Sequence, residues 1–88
     1  MMPKSKEITP VLLSLIKIYE PKNYRVLTEM VAQRMNLTEE DRKAEGINSD
    51  TLLTKVSWIL DRFKKEGLVT LIDGLWAITS KGKKIKDI

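Results

Sequence analysis

Among the 88 residues there is no cysteine and no histidine. Disulfides, Cys- or His-ligated zinc, thiol nucleophiles and the usual imidazole general base are therefore excluded. A chain without thiols also fits a reducing compartment. Glycine is sparse, at four residues, and forms no Gly-rich phosphate loop. No nucleophile–base pair stands out. No apolar run is long enough to span a bilayer, and the opening MMPKSKEITP lacks the apolar stretch of a signal peptide. The expectation is a soluble cytoplasmic domain with no membrane partner, no metal and no cofactor.

A hydrophobic content of 42% and a charged content of 32% suit a folded globular chain rather than a disordered one. The length is that of one domain, expected over 1–88. A domain this small buries only about 60–65% of its unfolded surface, so its core is modest. Charge is placed unevenly. Residues 1–50 carry eight Lys+Arg and eight Asp+Glu, whereas residues 51–88 carry eight and four, so the whole net +4 lies in the second part. Clustered positive charge is the footprint of a polyanion partner, although lysines also serve solubility alone.

Residues 1–8 read as a flexible polar lead-in. Thr9-Pro10 reads as a helix start, with Thr9 as N-cap and Pro10 in the first turn. Val11, Leu12, Leu15, Ile16 and Tyr19 then recur at helical spacing to about Glu20, before Pro21. Asn23-Tyr24-Arg25 reads as a connector with a short extended segment. A second helix is expected from about Val26 to Asn36, burying Leu27, Met30, Val31 and Met35 and stopping at Asn36. The two methionines are core rather than a cofactor site. Thr38 and Asp41 have capping-box spacing and open a brief third helical piece, which Gly46-Ile47-Asn48-Ser49 ends as a loop. The longest helix is expected from about Asp50 to Glu66, capped by Ser49 or Asp50 and closed by Gly67. Leu52, Leu53, Val56, Ile59, Leu60 and Phe63 form its apolar face, and Thr51, Lys55, Trp58, Arg62 and Lys65 lie opposite.

Two apolar runs follow, Leu68–Ile72 and Leu75–Thr79, joined by Asp73-Gly74. That dipeptide between apolar runs is a strong hairpin signal, because both turn residues must accept positive φ. Val69 and Leu71 are expected on one face and toward the core. An isolated hairpin is not stable, so it must pack on the helices. Residues 80–88 read as a basic tail, with a short helix started by Thr79 or Ser80.

Helix, helix, insert, long helix, hairpin is the order of a winged helix-turn-helix: a mainly α domain with a small antiparallel hairpin, of the α+β class. That arrangement suits duplex DNA. A helix fits the major groove, and basic side chains on it and on the neighbouring wing release counterions from phosphates. The expected DNA-facing set is Ser49, Thr51, Lys55, Trp58, Arg62 and Lys65 of the long helix, Asp73 and Gly74 of the turn, and Lys81, Lys83 and Lys84 after it. Each has a plainer reading as well: a cap, a solvated helix face or a solubilising lysine. Trp58 either stacks at the interface or is partly covered by the first helix. Trp76 either packs on the helices or stands exposed on the wing. Two acid-x-lysine spacings, Asp41-Arg42-Lys43 and Glu20-Pro21-Lys22, match a metal-dependent nuclease pattern. Neither lies on a strand with a further carboxylate, and both read as coincidence.

Several segments together carry a family resemblance: Pro10-Val11-Leu12-Leu13; VLTEMVAQRMNLTEEDR over 26–42; WILDRFKKEGLV over 58–69; and GLWAITSKGK over 74–83. On these the chain resembles the N-terminal winged helix domain of Mrr-type restriction endonucleases along nearly its whole length. The resemblance implies a DNA-binding attachment to a separate nuclease domain or subunit of the Asp…Glu-x-Lys type, in a restriction or defence system. No such nuclease follows the hairpin in this sequence, so DNA cleavage is not expected. The chain is then either one domain of a longer protein or a free-standing DNA-binding protein. The loop KAEGINSD carries no arginine, so no loop contact to DNA is carried over. Two other classes compete with DNA targeting: a protein-interaction or dimerisation module, including a homodimer, and a stand-alone transcriptional regulator.

Overall fold

The computed structural model describes residues 3–42 and 51–85. Its elements are α1 (Ser5–Ile18), α2 (Tyr24–Arg34), α3 (Thr51–Lys65), β1 (Val69–Ile72), β2 (Leu75–Ile78) and the short α4 (Ser80–Lys83). The expected mainly helical α+β order is present. The 46–49 loop, the capping roles of Ser49 and Asp50, and Lys86 lie outside the described residues.

α1 begins a full turn before the expected start. Ser5 to Ile8 are helical rather than a loose lead-in, Lys4 is the N-cap, and Pro10 sits inside the helix. Ile8 explains this, because its side chain is fully buried. Burying it contributes about 1.5–3 kcal/mol, comparable to the ~3 kcal/mol that an interior proline costs. The Thr9 hydroxyl is a back-bonding group rather than a cap, donating to the Ser5 carbonyl at 2.7 Å. At the other end the helix stops at Ile18, and Tyr19 is exposed rather than core.

α2 starts at Tyr24, two residues before the expected position, because Asn23 caps it and accepts from the Val26 amide at 2.9 Å. The extended part of the connector is instead Lys22, which bridges to Trp76. α2 buries Leu27, Thr28, Val31 and Ala32, with Met30 and Met35 packed at the margin of the core. Buried Thr28 satisfies its hydroxyl by donating to the Tyr24 carbonyl at 2.7 Å. The helix ends at Arg34, two residues short of the expected bound, and Asn36 supplies the expected stop with a left-handed φ of 54°. Leu37 N–H reaches the Ala32 carbonyl and Asn36 N–H reaches Gln33, the Schellman pattern. α3 closes the same way: Gly67 has φ 79°, Leu68 N–H reaches Phe63 and Gly67 N–H reaches Lys64. The Thr38–Asp41 capping box forms reciprocally, at 2.9 and 3.2 Å, but its described part is a single turn. Arg42 then forks onto Glu29 with two contacts of 2.9 and 2.8 Å, tying that turn to α2.

The core is where α1, α2 and α3 meet under the hairpin: Ile8, Leu12, Leu15 and Ile16 against Leu27 and Val31, then Leu52, Val56, Ile59, Leu60 and Phe63, with Leu68 and Val69 as the lid. β1 and β2 pair antiparallel, Val69 with Ile78 through Ile72 with Leu75. Asp73 (φ 51°) and Gly74 (φ 78°) form the two-residue turn, as a primed turn requires. Val69, Leu71, Trp76 and Ile78 share one face. Trp76 and Ile78 pack on the core, which answers the question left by the sequence about Trp76. Leu71, at the far end of that face, is 40% exposed and not the core residue expected.

One residue locks the end of the hairpin to the helices. The Thr79 hydroxyl lies 2.6 Å from the Gly67 carbonyl and 2.9 Å from that of Leu68, and it accepts from the Gly82 amide at 3.1 Å as the N-cap of α4. Gly82 is buried so tightly that a Cβ there would lie 2.2 Å from the Leu68 carbonyl oxygen. Beyond it, Lys17 of α1 donates to the Ile85 carbonyl at 2.6 Å. The described part of the basic segment after the hairpin is thus packed structure rather than a tail.

Candidate nucleic-acid interface

The apolar face of α3 follows from leucine, valine, isoleucine and phenylalanine at helical spacing, and the opposite face must then look outward. Trp58 lies at the centre of that outward face and is 68% exposed. α1 does not cover it, so the partly buried alternative is excluded. Thr51 lies seven residues before it on the same stripe, Arg62 four after and Lys65 seven after. Thr51 is half-buried.

The cations on this face are held loosely. Arg62 Nη2 donates to the Thr9 hydroxyl at 3.1 Å, and its Nε stands 3.8 Å from Glu66. Lys65 lies 3.2 Å from Asp61. All four charged side chains of these two pairs are more than half exposed. Exposed i,i+4 pairs contribute only about 0.3–0.5 kcal/mol, so neither carboxylate holds its cation tightly.

Lys55 differs. It is half-buried and donates to the Pro3 carbonyl at 3.1 Å, so it is turned toward the start of the chain. The N-terminus of α3 is not an open set of amides either, because Leu52 N–H already donates to the Arg42 carbonyl at 2.9 Å. Ser49 lies outside the described residues. Lys81 joins the α3 cations at one end: its side chain passes within 3.7 Å of where a Gly67 Cβ would stand. Lys83 and Lys84 are exposed beside it in sequence. Lys64, absent from the expected set, is exposed in the last turn of α3, off the Trp58 stripe. Its signal was only that it forms a cationic cluster with Arg62 and Lys65.

Asp73 and Gly74 have a conformational role, since both occupy left-handed backbone at the hairpin tip. Residues 68–79 contain no lysine or arginine, and Asp73 is their one charge. The acid-x-lysine spacings have structural explanations: Asp41 is spent on the capping box, and Lys22 bridges to Trp76 through its backbone. Among the described residues no group of three acidic, histidine or cysteine side chains could hold a metal, and no helix is long and apolar enough to cross a membrane.

Three helices, the outward α3 among them, and the closing hairpin define a winged-helix-like α+β domain. The chain belongs to the Mrr N-terminal domain family, whose model matches residues 5–87. Neither the curated proteins nor the solved structures gave a match.

Proposed function

We propose that this domain binds duplex DNA, with the outward face of α3 in the major groove and the cations around its C-terminal end on the flanking phosphates. The observation that carries the reading is Trp58. A tryptophan 68% exposed at the centre of a helix face, with Arg62 and Lys65 following it on the same stripe, contributes little to folding. Exposed aromatic surface among exposed cations is what an interface with a polyanion uses. Arg62, Lys65 and Lys81 supply phosphate contacts, with Lys83 and Lys84 extending them. Thr51 and Trp58 meet the groove. Membership of the Mrr N-terminal domain family supports a targeting role beside a nuclease domain or subunit of a restriction system.

Duplex titration at several salt concentrations tests this. Log affinity should fall linearly with log salt, and Trp58→Ala should weaken binding without unfolding the domain. A second reading, a protein-interaction module, draws on the same exposed tryptophan. It predicts a partner bound with little dependence on salt and no duplex binding at low salt.

A further inference from the structure

The start of α1 runs beside the outward face of α3. Lys55 of α3 donates to the Pro3 carbonyl at 3.1 Å, and Arg62 donates to the Thr9 hydroxyl at 3.1 Å. These anchors advance together along both segments, so residues 3–9 and 55–62 lie side by side in the same direction. Between α1 and Arg62 is an open cleft of about 390 Å³. Its described lining is Ser5, Lys6, Thr9, Pro10 and Arg62: two cations, two hydroxyls, a proline ring and no carboxylate.

The donors in this cleft are largely unspent. Lys6 is exposed and has no hydrogen bond or ion pair among the described residues. The Thr9 hydroxyl gives its hydrogen to the Ser5 carbonyl at 2.7 Å, so toward Arg62 it can only accept. That bond uses one guanidinium N–H, fixes where the group sits and leaves the rest of the fork open. Glu66 stands 3.8 Å from Arg62 Nε, beyond hydrogen-bond distance. Glu7, next to Lys6 in sequence, is exposed and does not line the cleft.

We propose that this cleft seats a backbone phosphate of duplex DNA, with Lys6 of α1 and Arg62 of α3 as its contacts and Thr9 as the residue that positions Arg62. The proposal rests on the reading that the α3 face binds a duplex, and it extends that interface onto α1. Two available cations beside the Ser5 hydroxyl select an oxyanion. Arg62 belongs both to the cleft and to the Trp58 stripe, so a strand that crosses Arg62 continues over Lys6. The Pro10 ring offers an apolar wall to the deoxyribose beside that phosphate. Because Thr9 already orders Arg62, binding need not immobilise that side chain afresh.

Duplex titration of the full chain at several salt concentrations tests this, with thermal melts as the check on folding. Lys6→Gln should make the slope of log affinity against log salt shallower by about one, and weaken binding roughly five- to tenfold near ~0.1 M salt. Arg34→Gln removes the same charge beside Leu15 and Tyr19, toward the other end of α1, and should leave the slope unchanged. Thr9→Val keeps every charge, so the slope should hold while affinity falls about two- to tenfold; Thr9→Ser should restore it. A wild type that binds no duplex at low salt overturns the seat together with the DNA reading. A different result separates them: the wild type binds and Arg62→Ala/Lys65→Ala flattens the slope, but Lys6→Gln leaves it alone or only matches Arg34→Gln. That leaves the DNA reading standing and overturns the seat. Wild-type affinity in a folded Thr9→Val overturns the positioning role. Lys6 is exposed, so Lys6→Gln decides the seat even if Thr9→Val fails to fold.

Discussion

Thr79 and Gly82 do more for this fold than their size suggests. The Thr79 side chain joins the C-terminal turn of α3, the end of β2 and the start of α4, and the Gly82 backbone sits directly against Leu68. Adding one methyl at Gly82 crowds both the Leu68 carbonyl and the Ile78 side chain, and both must give way. Gly82→Ala should therefore destabilise the domain by about 2–3 kcal/mol, in the range of core overpacking, as read by urea unfolding. Thr79→Val keeps the shape but removes the cap and the carbonyl contacts, and should lose about 1–2 kcal/mol in the same measurement. Trp58 is the converse case. Being 68% exposed, Trp58→Ala should leave stability within about 0.5 kcal/mol, so a loss of binding in that variant reports on the surface. The sequence shows why these roles differ in legibility. Gly67 and Asp73-Gly74 announce turns by themselves, but the crowding at Gly82 arises only when α4 folds back on the β1 start.

At the scale of elements, what was readable was what is local. The Schellman ends at Asn36 and Gly67, the capping box at Thr38–Asp41, the apolar face of α3 and the primed turn of the hairpin all depend on residues within a few positions of each other. Left-handed backbone at Asn36 makes a sharp case: Asn36→Ala should lose about 1 kcal/mol while Asn36→Gly should not, by the steric cost of a Cβ at positive φ. Thermal melts of the two variants decide it. Misreadings came from distant partners. α1 starts at Ser5 because Ile8 finds a place in the core that Thr9-Pro10 gives no hint of. Leu71 alternates as a core residue should, yet the hairpin projects past the helices and leaves it partly in water. Likewise Lys55 lies on the expected stripe, but Pro3 holds it. The outward α3 face was legible in outline from its period alone. Which of its cations are available was not, because that depends on α1.

For the whole molecule, the balance of charge decides the most. Positive charge concentrates in the part that contains α3 and α4, while the hairpin between them carries none of it. The domain therefore divides its surfaces, with a cationic helix face around Trp58 and a neutral hairpin edge. If the cationic face meets duplex DNA as proposed, counterion release acts there and salt weakens it. Membership of the Mrr N-terminal domain family accords with a module that presents such a face. The most direct measurement is duplex affinity against salt for the wild type and for Arg62→Ala/Lys65→Ala. The account predicts binding at low salt, a linear fall of log affinity with log salt, and a slope shallower by about two in the double variant, roughly one per lost phosphate contact. Absence of duplex binding at low salt, or an unchanged affinity and slope in the variant, would contradict it.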